Sequence, residues 1–288
     1  MKNIVVDKSK CTHCGLCISD CVSGCISFDG ENFPKTDDEK RCISCQHCLA
    51  ICPTGALSFG DKHPNNSQNV EYSDILGLIK SRKSVRQYKD EEIPQELLDK
   101  LKQMLPYVPT GCNNHSLHFS IVETKSAMDE IRKKVNDLLI KTMSYKALSP
   151  IMNKFSRYKD AFLKGEDVIF RGAPHMIVVS SPISAPCANI DPIIALSYFE
   201  LYAQHLGIGT CWCGFAQACL MFFPQVCEML EIPSGYKPVY AMLFGMPKVK
   251  YQRTTQPEPY TVSQIKEIRK TDSCVFCRIK RFFTNFLR

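Results

Sequence analysis

Two runs of cysteine near the N-terminus constrain this chain more than any other feature. Cys11, Cys14, Cys17 and Cys21 recur as Cys42, Cys45, Cys48 and Cys52 at an offset of 31 residues, and Gly24/Gly55, Ile26/Leu57, Ser27/Ser58 and Phe28/Phe59 follow in register. The repeat marks two copies of one half-domain. About sixty residues bury little apolar surface, so such a unit depends on bonds to metal or between cysteines in order to fold. Seventeen cysteines in 288 residues would suggest a disulfide framework in a secreted chain. The tight spacing argues for ligation instead, and another six cysteines lie in apolar sequence, where they read as small buried side chains. A reducing, oxygen-poor compartment is expected. The N-terminus has only Ile4-Val5-Val6 as an apolar stretch before Asp7, too little for a signal-peptide core, so the expected location is cytoplasmic.

Each run reads C-x2-C-x2-C-x3-C, and the second continues into Pro53, the spacing of thiolate ligands to 4Fe-4S clusters. Three cysteines wrap a loop around one cubane, and the fourth is aimed at the other cluster. The expected quartets are therefore Cys11, Cys14, Cys17 and Cys52 for one cluster, and Cys42, Cys45, Cys48 and Cys21 for the other. Eight thiolates could also fill two tetrahedral zinc sites, but the matched x2-x2-x3 spacing speaks against that. Short strands are expected at Lys2–Val6, Ile26–Phe28, Asn32–Phe33 and Ala56–Phe59. This stretch resembles two-cluster bacterial ferredoxins over nearly its whole length, with two departures: Val22 follows Cys21 where a proline is usual, and Cys25 stands where the second copy has Ala56. Cys25 reads as a small buried residue in an alanine slot.

From Asp61 to Glu71 the sequence turns polar and turn-rich, which marks a linker. The expected organisation is a ferredoxin-like domain over 1–60, a linker over 61–71, a second domain over 72–255 and a basic tail over 256–288. In the second domain, periodicity predicts helices at Tyr72–Lys80, Gln95–Met104 and Ser126–Leu139, and strands at Leu117–Val122, His175–Ser180 and Pro238–Phe244. A further helix, Ile193–Leu206, is expected to have Asp191 as its cap and Pro192 at its first position. It is apolar on almost every face, which asks for burial all round, most easily against a second subunit.

Four blocks of this domain resemble motifs of the nitroreductase family, in the family's order. Ser81-Arg82-Lys83-Ser84-Val85-Arg86, followed by Tyr88, resembles the Arg-Arg-Ser segment that grips FMN. Pro109-Thr110-Gly111-Cys112-Asn113 through Phe119 resembles a segment that usually reaches the flavin of the neighbouring subunit. Leu206-Gly207-Ile208-Gly209-Thr210-Cys211-Trp212-Cys213-Gly214-Phe215 resembles the block beside the isoalloxazine ring, and Gly245-Met246-Pro247 with Arg253 resembles the closing segment and its phosphate-binding arginine. The resemblance implies an α+β chain: a small ferredoxin-like domain with two 4Fe-4S clusters, then a nitroreductase-like mixed α/β sandwich that works as a homodimer. It implies FMN contacts at Arg82, Lys83, Ser84, Arg86, Pro109, Thr110, Gly111, Asn113, Cys211, Trp212, Cys213, Gly214 and Arg253. Lys83 replaces the second arginine, and His115, Ser116 and Leu117 stand where Gln, Pro and Trp are frequent, which changes the substrate face more than the flavin site. As thiols, Cys211, Cys219 and Cys227 read as structural, and Cys274/Cys277 form a lone C-x2-C.

The expected function is an FMN-dependent oxidoreductase that passes electrons from the clusters to flavin and on to a small oxidised acceptor, nitroaromatic or quinone-like. The donor is reduced ferredoxin or NAD(P)H. Reductive dehalogenation, reduction of an activated double bond and a non-catalytic electron carrier are the alternatives. No acid–base dyad is nominated, because the flavin does the hard chemistry. The net charge of +7 is modest and partly local, with seven Lys/Arg against two acids from Thr261 to Arg288. This reads as a solvated tail, and no nucleic-acid role is assigned. No apolar run reaches the roughly 18 residues of a membrane span.

Overall fold

The computed structural model describes residues 3–66, 74–143 and 158–267. Residues 1–256 pack as one compact unit and 257–288 as a second. The described part of the second unit, 257–267, holds no helix or strand, and Cys274 and Cys277 lie outside the described residues.

The N-terminal repeat folds as two interlocked copies. Strand β1 (Ile4–Val6) pairs antiparallel with β4 (Leu57–Phe59), and β2 (Ile26–Phe28) with β3 (Pro34–Thr36). Each copy thus lends strands to the other's half. β3 lies two residues beyond the expected Asn32–Phe33, because Asn32 turns left-handed at φ 63° and its N–H closes on the Asp29 carbonyl. The short helices α1 (Leu16–Ser19) and α2 (His47–Ile51) each start inside a cysteine run. Just before them the chain is left-handed at His13 and Gly15 (φ 54° and 71°), and again at Ser44 and Gln46 (φ 56° and 57°). These are the same repeat positions. Such turns aim successive N–H groups inward and build a concavity that favours a negatively charged occupant, at a cost of about 1–2 kcal/mol for each residue other than glycine.

The second module is a four-stranded antiparallel sheet in the order β5-β6-β8-β7 (His118–Val122, His175–Pro182, Tyr236–Gly245, Gly209–Trp212). Helices cover both faces, and the central strands explain why. Met176 and Val178 of β6, with Ala241 and Leu243 of β8, point to one core, while Ile177, Val179, Met242 and Phe244 point to the other. A strand buried on both faces reads as a continuous apolar run, which is what β6 shows. The first core takes α5 (Lys125–Met143) through Met128, Ile131 and Val135, and α8 (Gly214–Phe222) and α9 (Pro224–Met229) through Ala216, Leu220 and Val226. The second takes α4 (Gln95–Met104) through Leu98 and Leu101, and α7 (Asp191–His205) through Leu196 and Phe199. Two smaller helices, α3 (Ile75–Ser81) and α6 (Lys159–Leu163), also lie among the described residues.

Two expectations need correction. Asp191 does not cap α7: the cap is Ile190, and the Asp191 carboxylate accepts the Gly111 N–H at 3.0 and 3.1 Å instead. Nor is α7 buried all round within one chain, since Tyr198 is 49% exposed. The cysteine-rich module is also less of a satellite than a linker suggests. Leu49, Ala50 and Ile51 of α2 are buried in the same apolar cluster as Val85, Tyr88 and Tyr251.

Candidate functional site

The eight repeat cysteines surround two cavities. Cys11, Cys14, Cys17 and Cys52 line one, and Cys21, Cys42, Cys45 and Cys48 line the other, together with Cys25. Among the described residues, no three metal-binding side chains converge as a single ion would require. A tetrahedral zinc needs sulfurs about 2.3 Å from one point; quartets ringing a cavity suit a larger inorganic core. The donor chemistry agrees. Burial pushes the Cys17 thiol up to about 12, with repulsion from Cys52 and Cys14 adding to it, and burial raises Cys48 as well. Thiolates so enclosed need a cationic core to hold them ionised. Cys25 is 2% exposed and its sulfur lies 3.6 Å from that of Cys21; burial pushes it up to about 12.

The basic segment after α3 runs extended beside β7. Val85 N–H donates to the Thr210 carbonyl at 2.8 Å, and Ser84 forms a parallel bridge with Thr210. Extended backbone sends alternate side chains to opposite sides. Arg82 reaches Glu200, with Nη1 3.3 Å from Oε1, and Arg86 donates from Nη1 to the Ser84 carbonyl at 3.2 Å. Lys83, on the other side, is 6% exposed and lines an open cavity of ≈ 810 Å³ with Ser81, Gln204, Gly209, Thr210, Lys248 and Lys250. Burial, with the Arg82 charge adding to it, pushes the Lys83 ammonium down to about 8, and its Nζ meets the Ser81 carbonyl at no better than 3.5 Å. A buried ammonium so weakly answered fits an anionic phosphate.

Glu200 is the organiser that sequence reasoning missed. It is 6% exposed, pairs with Arg82, accepts from Trp212 Nε1 at 3.0 Å, and lies 3.5 Å from Thr210 Oγ1. It fixes the basic segment and the glycine block to α7. Trp212 also packs edge-on against Tyr240 at 5.3 Å. Gly214 stands where a Cβ would come within 3.3 Å of the Tyr240 hydroxyl. Burial raises the Cys211 thiol, opposed by Arg86 and Arg171, and pushes Cys213 up to about 12, so both are inert thiols rather than nucleophiles. A Cβ on Gly209 would fall 2.8 Å from three carbons of Val85. Gly209→Ala is accordingly expected to force the basic segment away from β7, costing about 1–3 kcal/mol; urea unfolding with an unchanged midpoint would refute that.

The remaining predicted residues lie apart from this cavity. Thr110 accepts the His115 N–H on Oγ1 at 2.9 Å, and Gly111 packs on the start of α7, where a Cβ would meet the Cys187 sulfur at 2.4 Å. Asn113 is left-handed at φ 51° and accepts from His115, and Pro109 precedes this exposed turn. Arg253 donates to the Cys52 carbonyl at 2.5 Å and to that of Pro53 at 3.5 Å, so its guanidinium serves the cysteine-rich module. Lys248 and Lys250 occupy the cavity region instead; their signal was two lysines shortly after Gly-Met-Pro.

Quartets of cysteine beside a four-stranded sheet covered by helices on both faces, with a basic, glycine-rich cradle, define an iron-sulfur oxidoreductase class. Within it, the chain belongs to the nitroreductase family: the model of that family matches residues 79–246, and a 4Fe-4S dicluster domain matches residues 10–56. The chain is similar to iodotyrosine deiodinase of Thermotoga neapolitana, 26% identical over 185 residues, 62% of this chain and 93% of that protein. It is similar to the FMN reductase [NAD(P)H] of Bacillus subtilis, 25% identical over 178 residues, 61% of this chain and 66% of that protein. The curated relatives are matched over between 32% and 93% of their own lengths. In fold it is similar to a nitroreductase with bound FMN from Bacteroides fragilis, with TM-score 0.54 and 22% identity over 67% of this chain and 100% of that one. Among the described residues, no helix is long and apolar enough to cross a membrane.

Proposed function

We propose that this chain is an FMN-dependent oxidoreductase that receives single electrons at two 4Fe-4S clusters and reduces an oxidised organic acceptor, nitroaromatic or quinone-like, at the flavin. The observation that carries this reading is that both cysteine quartets are built into the same compact unit as the basic segment and the glycine block. When bound, the clusters carry single electrons and the flavin passes a pair to the acceptor, with protons drawn from water. The chain's own residues bind and orient. Lys83, with Lys248 and Lys250 near it, offers charge to a phosphate; Glu200 holds Arg82 and Trp212 in place; the inward-turned loops 11–17 and 42–48 favour the net negative charge that a core carries together with its four thiolates. Arg86, Ser84 and the segment Pro109 to Asn113 complete the set proposed to contact flavin, the latter from a second copy of the chain. A homodimer is supported by the apolar face left on α3, where Ile75, Leu76 and Ile79 are exposed, and by Tyr198 of α7.

Reduced ferredoxin suits the cluster module as donor, with NAD(P)H the alternative. A second reading, reductive dehalogenation, draws on the likeness to iodotyrosine deiodinase. One experiment separates them. Anaerobically purified protein is expected to hold about eight iron, about eight sulfide and about one FMN per chain, and after dithionite reduction to convert a nitroaromatic while its flavin reoxidises. Turnover of a halophenol alone selects the second reading, and colourless protein refutes both.

A further inference from the structure

The two quartets meet the rest of the chain in different ways. The first is tied by backbone: Arg253 donates to the Cys52 and Pro53 carbonyls; its Cys17 and Cys52 are buried, and Cys14 alone of the eight repeat cysteines is exposed. The second is tied by buried side chains from inside its own loops. Asp20, next to Cys21, is 4% exposed, and Gln46 and His47, between Cys45 and Cys48, are each 7% exposed. Asp20 accepts from Tyr251 Oη on Oδ2 at 3.1 Å and from Gln87 Nε2 on Oδ1 at 3.1 Å, and His47 Nδ1 lies 3.3 Å from Oδ2. Gln46 and Gln256 exchange two bonds, at 2.8 and 3.1 Å.

Gln87 is the informative member, because it lies two residues beyond the point where the basic segment is fixed to the sheet. Val85 N–H is bonded to Thr210 of β7, and Gln87 to Asp20. We propose that the second quartet is the one held against the flavin cradle, with Gln87, Tyr251, Asp20 and His47 as its positioning residues, and that the first quartet is the outer one, open to a one-electron donor protein of the reduced-ferredoxin class. This rests on the proposed function. The donor protein is oxidised by one electron per encounter, and two encounters with two protons from water balance the two-electron reduction of the acceptor. Electron transfer weakens exponentially with separation, so a buried knot that fixes the separation fixes the rate.

The test uses the full anaerobic chain and two variants, Gln87→Leu and Tyr251→Phe, each removing one donor to Asp20 and leaving all eight cysteines. Cys14→Ser and Cys45→Ser assign the two iron-sulfur signals in electron paramagnetic resonance. With iron, sulfide and FMN contents at wild-type levels, the midpoint potential of the signal assigned by Cys45→Ser is expected to move negative, because Asp20 beside Cys21 is less neutralised, while the other stays. Flavin reduction by reduced ferredoxin should slow by about tenfold, in the range of losses from second-layer partners. Reoxidation of dithionite-reduced Gln87→Leu flavin by the acceptor should match wild type. Unchanged potentials with unchanged flavin reduction in both variants, or movement of the Cys14 signal instead, would overturn the proposal while the parent reading stands. Wild-type protein devoid of iron or flavin would overturn both.

Discussion

Cys48→Ser is expected to strip one cluster from the anaerobic protein, taking iron from about eight to about four per chain, and to loosen residues 3–60 as a body. Cys48 sits in α2, whose Leu49, Ala50 and Ile51 are buried at 1–3% exposure in the apolar cluster shared with Val85, Tyr88 and Tyr251. The apolar surface available to so small a module does not offset the ordering of its chain, and metal binding in small domains contributes on the order of 10 kcal/mol to folding. Losing the core of the second quartet therefore costs more than a buried side-chain truncation of about 2–5 kcal/mol. Hydrogen exchange should rise throughout the cysteine-rich module, visible absorbance near the sulfide-to-iron bands should fall by about half, and the melting of the flavin-bearing module should drop as its shared face opens. Retention of full iron in this variant would remove Cys48 from the ligand set.

Lys83 gives the second large effect, and its sign can be worked out. In the free protein, burial holds this ammonium at about 8, below the ordinary 10.5, so the folded state prefers the neutral amine more than the unfolded chain does. Stability of the flavin-free protein should accordingly rise as pH climbs from about 8 toward the ordinary lysine value. A bound phosphate reverses the preference, since it stabilises the ammonium. FMN affinity should be greatest below about pH 8 and decline above it, with protons taken up on binding in that window. Lys83→Met should weaken FMN by about 10- to 100-fold, the worth of a charge-assisted bond of about 1.5–3 kcal/mol, and flatten the pH profile. Fluorescence titration of apoprotein across pH 7 to 10 reads both; a steep profile that survives in Lys83→Met would place the phosphate elsewhere.

The parts of this molecule legible in the sequence are those set by local chemistry. Thiolate spacing is dictated by the object it wraps, so the quartets could be written down before any fold was known, and they ring separate cavities in the expected grouping. Helix α4 matches its expected Gln95–Met104 span because an amphipathic period decides it. Asp191 was misread because a carboxylate at the start of a helix can bond outward, here to Gly111, as well as inward. Glu200, Gln87, Asp20 and Tyr251 were not legible at all. Their partners lie 118, 67 and 231 residues away in sequence, and no period or motif announces a contact that only tertiary folding creates. The sequence reads Gly207-Ile208-Gly209-Thr210 as part of a flavin block; what the structure gives for Gly209 is a close approach of Val85 that leaves no room for a Cβ.

The reciprocal clasp of Gln46 with Gln256, and the single bond from Gln252 N–H to the Ala50 carbonyl, have a meaning for how this protein comes into being. A ribosome delivers the cysteine-rich half first, yet the strip that seals it, Gln252 to Gln256, is among the last parts of the compact unit to emerge. The latch on the cysteine-rich half therefore closes late, and a chain cut short before residue 252 would keep the apolar contacts of Leu49 and Ile51 while losing the bonds that Gln252 and Gln256 make to Ala50 and Gln46.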